Sequence, residues 1–134
     1  MKKLRGYIFS RYFLGERIPQ YVQNLVLRDY CDKKKHEYLL SATEYTMGNS
    51  FLALQQTLND MKNIDGIVAY SLFQMPELQI DRIKVYTKIL KSNKELHFAV
   101  EGLKISEKSD IDRIENIWLI KQTLPKCYCN PPKN

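Results

Sequence analysis

Arg11, Glu44, Tyr45, Gln74 and Glu101, with the hydroxyls of Ser10 and Ser71, are the side chains of this 134-residue sequence whose types and positions could do chemistry. A guanidinium can hold an anionic group, a glutamine can hydrogen-bond hydroxyls, and a carboxylate can act as a base or an orienting acceptor. Such a set can bind a hydroxylated or phosphorylated molecule, with Glu44 and Glu101 as the candidate catalytic pair. Each residue has a structural reading beside this one. Glu44 and Glu101 can pair with Arg11 or Arg5 or cap the helices that follow them, and Ser71, inside an apolar run, can bond to nearby backbone.

These residues belong together only if the chain brings distant segments to one edge. Leu4 to Phe9 reads as a first strand, and Ile18, Val22, Leu25, Val26 and Tyr30 recur at helical spacing up to about Lys33, with Pro19 in the first turn. Tyr38 to Ser41 reads as a second strand, and Asn49 or Ser50 can cap a second helix with Phe51, Leu54, Leu58 and Met61 on its apolar face. Ile67 to Leu72 is apolar except for Ser71, as in a central strand covered on both faces. Pro76-Glu77 opens a third helix with Leu78, Ile83, Tyr86 and Leu90 on one side, and Glu95 to Val100 is a fourth strand. Ser109-x-x-Asp112 resembles a capping box for a last helix that Pro125 ends. Alternating strands and helices predict an α/β fold of three layers around a mostly parallel, four-stranded sheet. Residues 1–125 make a single domain and 126–134 a C-terminal tail. In such sheets ligands bind beyond the strand carboxyl ends, which is where the residues named above fall.

Other chemistries lack their residues. There is no Gly-x-Gly-x-x-Gly, no phosphate-binding Gly-rich loop and no Gly-x-Ser-x-Gly elbow, which disfavours nucleotide hydrolysis and triad chemistry. His36 and His97 stand near no Cys or Asp at ligand spacing, and Cys127-Tyr128-Cys129 is a weak metal or redox signal, so neither a metal nor a cofactor is expected. No stretch approaches the roughly 20 apolar residues of a membrane span. Three cysteines, an odd count, suggest free thiols and a cytoplasmic setting. Lys and Arg number 21 against 15 Asp and Glu, a formal charge of +6 that favours anionic partners without choosing among them. Lys33-Lys34-Lys35 reads as a solvated helix end, where cations suit the negative pole, or as a nucleic-acid patch.

Gly6-Tyr7, Ile18-Pro19-Gln20, Leu72 and Phe98-x-x-Glu101-Gly102, taken in order over about residues 4 to 105, resemble the catalytic domain of serine recombinases of the resolvase and invertase type. The resemblance implies a resolvase-like sheet order of 2-1-3-4. It sets Gln20 at the family's first-helix glutamine, among the ligand-binding candidates. It does not carry the chemistry, because Tyr7-Ile8-Phe9-Ser10-Arg11 stands where the family has Tyr-x-Arg-x-Ser. Likewise Leu72-Phe73-Gln74-Met75-Pro76-Glu77 stands for Leu-Asp-Arg-Leu-x-Arg. Phosphoryl transfer needs a nucleophile within clustered positive charge, which these replacements remove. Specific DNA binding and cleavage are therefore not expected.

Arg5-Gly6-Tyr7-Ile8-Phe9-Ser10-Arg11, Leu39-Leu40-Ser41-Ala42-Thr43-Glu44-Tyr45 and Ile67 to Gln74 also resemble a family named for its sporadic occurrence in bacterial carbohydrate-biosynthesis gene clusters. That resemblance implies a role in making O-antigen or capsule. The ligand would be a carbohydrate, sugar phosphate or nucleotide sugar at the strand ends, with Asn24 and Gln74 bonding its hydroxyls and Arg11 its anionic group. The alternative is a catalytically inactive recombinase-like interaction or regulatory protein that binds a partner protein or nucleic acid. Ile111, Ile114, Ile117, Trp118, Ile120 and Leu124 exceed the apolar surface one packed face needs, which predicts a homodimer through the last helix.

Overall fold

A computed structural model of the chain describes residues 1–10, 17–45 and 51–129, with residues 122–129 as backbone alone. One sheet contains β1 (Lys3–Phe9), β2 (Glu37–Glu44), β3 (Gly66–Ala69), β4 (Glu95–Phe98) and β5 (Leu103–Ile105), in the order β2-β1-β3-β4-β5. The helices are α1 (Gln20–Lys34), α2 (Leu52–Asn59), α3 (Gln79–Lys91) and α4 (Lys108–Cys129), and a 3-10 turn occupies Leu72–Gln74. The first four strands are parallel in the expected order. The fifth, antiparallel to β4, is an addition to the expected four. Gly102 makes it possible: its φ of 68° lies in the left-handed region, and its N–H donates to the Phe98 carbonyl at 2.9 Å to close the turn.

Alternation along the strands divides the core in two. On one face Leu4, Ile8 and Val68 pack against Leu27, Tyr30 and Cys31 of α1. On the other, Tyr7, Phe9, Ile67, Ala69, Leu96 and Phe98 meet the buried faces of α2, α3 and α4. Gly6 keeps β1 close to its neighbour, because a Cβ there would run into Ser41 Oγ and the Tyr38 ring.

Several local expectations are corrected. The core face of α1 consists of Gln23, Leu27, Tyr30 and Cys31, and Leu25 is exposed. Apolar types alone point to the wrong stripe because a fully bonded glutamine has taken a core position. Strand β3 stops at Ala69, so Ser71 and Leu72 belong to the following turn. Helix α3 starts three residues after Pro76, and its core face is Arg82, Val85, Tyr86 and Ile89, with Leu78 exposed. Asn49 and Ser50 lie outside the described residues. Met61 is buried although it follows the end of α2. The box at Ser109 and Asp112 gives way to Asp110, whose Oδ2 accepts from the N–H groups of Ser106 and Glu107 at 3.0 and 3.2 Å. Helix α4 runs past Pro125 to Cys129, since an interior proline removes one hydrogen bond without always ending a helix. Trp118 faces inward, with Arg82 Cζ 4.0 Å from its ring centroid and the Phe73 ring 5.1 Å away.

Candidate functional site

The last residue of β2, Glu44, is only 2% exposed and makes three hydrogen bonds at the carboxyl edge of the sheet. Its Oε1 accepts from the Ala53 N–H at 3.1 Å, and its Oε2 accepts from the Leu54 N–H and the Tyr7 hydroxyl, both at 2.9 Å. The first turn of an α-helix leaves N–H groups without intrahelical partners, and α2 has no capping side chain of its own. Glu44 supplies the missing cap from the preceding strand, where the positive pole of the helix also favours its charge.

Glu101 makes the corresponding arrangement after β4. Its Oε1 accepts from the Leu72 N–H at 3.0 Å and its Oε2 from Ser71 Oγ at 2.7 Å. Ser71 Oγ in turn accepts from the Phe73 N–H at 3.2 Å, capping the 3-10 turn. Both candidate catalytic carboxylates are therefore engaged as caps, and Ser71 sits between one of them and backbone.

Gln74 is fully buried. Its Nε2 donates to Gln23 Oε1 at 2.9 Å and its Oε1 accepts from the Tyr70 N–H at 3.1 Å. Gln23 also accepts from the Phe9 N–H at 3.0 Å and donates to the carbonyls of Phe9 and Ile18, each at 2.8 Å. Sequence reading missed Gln23. The available signal was its helical spacing to Leu27, Tyr30 and Cys31, which places it on the core stripe.

No other described candidate bonds to the Glu44 or Glu101 carboxylate through its side chain. Ser10 is buried, and both its N–H and its hydroxyl donate to the Glu44 carbonyl, at 2.8 and 3.1 Å. Arg11 lies outside the described residues. Gln20 is exposed at the start of α1. Asn24 Oδ1 accepts from Ser41 Oγ at 2.7 Å and from the Tyr38 hydroxyl at 2.5 Å, binding α1 to the middle of β2. Tyr45 follows β2 and stands in solvent. It shares this edge with Leu78, Ile80 and Val100, and the four are between 54% and 65% exposed. Arg17, Gln20, Glu77 and Gln79 are exposed here as well, so the described solvent-facing groups mix apolar and polar types.

Polar chemistry is more concentrated at the opposite edge. Buried His97 has Nδ1 2.7 Å from the Tyr30 hydroxyl and Nε2 2.8 Å from Glu95 Oε1, while Lys2 Nζ pairs with Glu95 Oε2 at 2.7 Å. Burial pushes the His97 imidazole down to about 4, with Glu95 opposing. Burial raises the Glu95 carboxyl, but hydrogen bonds from Lys2 and His97 outweigh this and hold it below its ordinary value. Burial also lifts Tyr30 to about 12 and Cys31 to about 11, which removes both as ready nucleophiles. Lys33, Lys34, Lys88 and Lys91 fall in the last turns of α1 and α3, where cations offset the negative pole. Among the described residues no group of three His, Cys, Asp or Glu side chains could hold a metal ion, and no helix is long and apolar enough to cross a membrane.

The structure is similar to the N-terminal catalytic domain of TP901-1 integrase, with a TM-score of 0.65 and 18% identity over 92% of this chain and 98% of that one. It is equally similar to a resolvase family site-specific recombinase from Streptococcus pneumoniae, with a TM-score of 0.65 and 13% identity over 95% and 97% of the two chains. No protein-family model matches the chain, and no curated protein matches it. The resemblance to carbohydrate-cluster proteins thus finds no support in these comparisons. The order of five strands, the four helices and both structural likenesses agree on one conclusion: this chain has the fold of a resolvase-type recombinase catalytic domain.

Proposed function

We propose that the protein is a catalytically inactive, recombinase-like interaction protein that binds a partner protein at the carboxyl edge of its sheet. The observation that carries this reading is the state of that edge. Glu44, Glu101, Ser10, Ser71, Gln23 and Gln74 are joined to backbone or to one another, while Tyr45, Leu78, Ile80 and Val100 face solvent. Large apolar side chains exposed along one edge of a domain fit a protein interface. The described charges of the edge, Glu44, Glu77, Asp81 and Glu101 against Arg17, would repel a phosphate backbone. Sugar binding is less well supported, because Gln74 is enclosed and both carboxylates already accept from N–H groups.

The outward face of α4 around Ile120, which is more than half exposed, is the surface through which two copies would pair. Ile120→Asp should then shift sedimentation from dimer to monomer. The central test places a photoreactive benzophenone side chain at position 45 or 100 and irradiates intact cells. Adducts with one discrete protein are expected. Adducts with nucleic acid, or a covalent link between Ser10 and duplex DNA, would overturn the reading.

A further inference from the structure

We infer that the outer face of α3 is the docking surface for an acidic, amphipathic helix of a partner protein, an inference that rests on the interaction reading above and specifies its partner. Gln79, Ile80, Ile83, Lys84, Thr87, Lys88 and Lys91, all of α3, line an open, shallow space of about 680 Å³ along its flank. Their spacing makes one continuous stripe beside the core face formed by Arg82, Val85, Tyr86 and Ile89. The stripe is divided by chemistry. Its start, next to exposed Leu78, holds Ile80 and Ile83 beside Gln79, and from Lys84 onward it is basic. Lys84 and Lys91 have no carboxylate partner among the described residues, and Lys88 meets only the neutral side-chain amide of Asn59.

Charge complementarity selects the occupant. Three lysines from Lys84 to Lys91, seven helical steps apart, cover about 10 Å of helix, which matches two turns of a partner helix bearing Asp or Glu at successive i, i+3 or i+4 positions. Ile80 and Ile83 would take the apolar residues of its following turns. Antiparallel docking brings the partner's positive N-terminal pole to the negative C-terminal pole of α3, and acidic residues are most favourable in a first turn. A second copy of this chain fits poorly: the outward face of α4 carries Asp112 beside Arg113, and on α1 Asp29 is already paired with Lys33 at 3.0 Å, with Lys34 and Lys35 exposed beside it. A nucleic acid would have no use for Ile80 and Ile83.

The test uses a fluorescein-labelled amphipathic peptide with Glu on one face of its first two turns and Leu on the same face of the next two. Controls are a scrambled peptide, a peptide with Lys in place of Glu, and a labelled DNA duplex. Saturable anisotropy binding of the Glu peptide to the full chain is expected. It should weaken at least about tenfold in Lys84→Glu/Lys91→Glu, and the Lys peptide should gain binding to that variant. Both lysines are exposed, and an unchanged melting profile will confirm folding; Ile80→Asp, also at an exposed position, should weaken the Glu peptide independently. Lack of saturable binding, equal binding of the scrambled peptide, or displacement by the duplex would overturn the docking assignment. If cross-links at positions 45 and 100 still yield a discrete protein, the interaction reading survives that failure.

Discussion

Gln74 donates a hydrogen bond from its side-chain amide to that of Gln23 at 2.9 Å, across 51 residues of sequence, and so joins the turn after β3 to α1 beneath the end of β1. Replacing Gln23 with Leu leaves the Phe9 N–H, the Phe9 and Ile18 carbonyls and the Gln74 amide each short of a partner at a buried position. A loss of about 3 kcal/mol in urea unfolding is expected, with a smaller loss for Gln74→Leu. The double variant should cost less than the sum, because the two residues share one bond.

The carboxylate caps make a second expectation. Glu44→Ala removes two backbone bonds and the Tyr7 contact from a buried position, which should lower stability by about 3 kcal/mol. Glu101→Ala removes one backbone bond and one serine contact from a half-buried site and should cost roughly half as much. If thermal and urea unfolding leave Glu44→Ala as stable as the parent, its capping role is wrong and a site role returns.

Arg82 and Glu115 form a bidentate pair at 2.8 Å for both bonds, and Arg82 also donates to the carbonyls of Pro76 and Glu77. Truncating Arg82 to Met strands a largely buried carboxylate and should cost about 3–5 kcal/mol. Adding Glu115→Leu should restore much of that, measured as a double-mutant cycle. An additive result would show that the arginine acts through its carbonyl contacts and its stacking on Trp118 instead.

His97 gives the stability a pH dependence. Its folded value near 4 lies below the 6.5 of a free imidazole, so the folded chain binds fewer protons between those limits. The contribution of neutral His97 is complete above pH 6.5 and is lost as pH falls toward 4, by about 3 kcal/mol across the window. His97→Phe should flatten urea midpoints between pH 7 and 4.5. An equally steep profile in that variant would move the dependence to other groups.

The alternation of strands and helices, and with it the carboxyl edge, was legible because Leu4–Phe9 and Ile67–Leu72 are strand-like runs separated by helical periods, whereas the strand order came from the resemblance to serine recombinases. Strand β5 was not, since three residues carry too little pattern. The positions of Glu44 and Glu101 at strand ends were readable. Their capping work was not, because the N–H groups they meet are brought there by how α2 and the 3-10 turn enter the fold. Gln23 was passed over for the opposite reason: polarity hides a core residue when every one of its bonds is made inside.

Between Arg5 and Tyr7 the pairing of β1 with β2 slips, two steps along β1 matching three along β2, and the Leu40 carbonyl accepts from Arg5 Nη1 at 2.8 Å. Strand β2 is the outer strand on this side of the sheet. Its rim is therefore neither straight nor evenly spaced, and one carbonyl near its centre is already engaged. A regular ladder is what fibril growth copies from one chain to the next. The irregularity that seats Tyr38 and Ser41 over Gly6 thus also makes this rim a poor template, and should let the protein stay dispersed at high concentration.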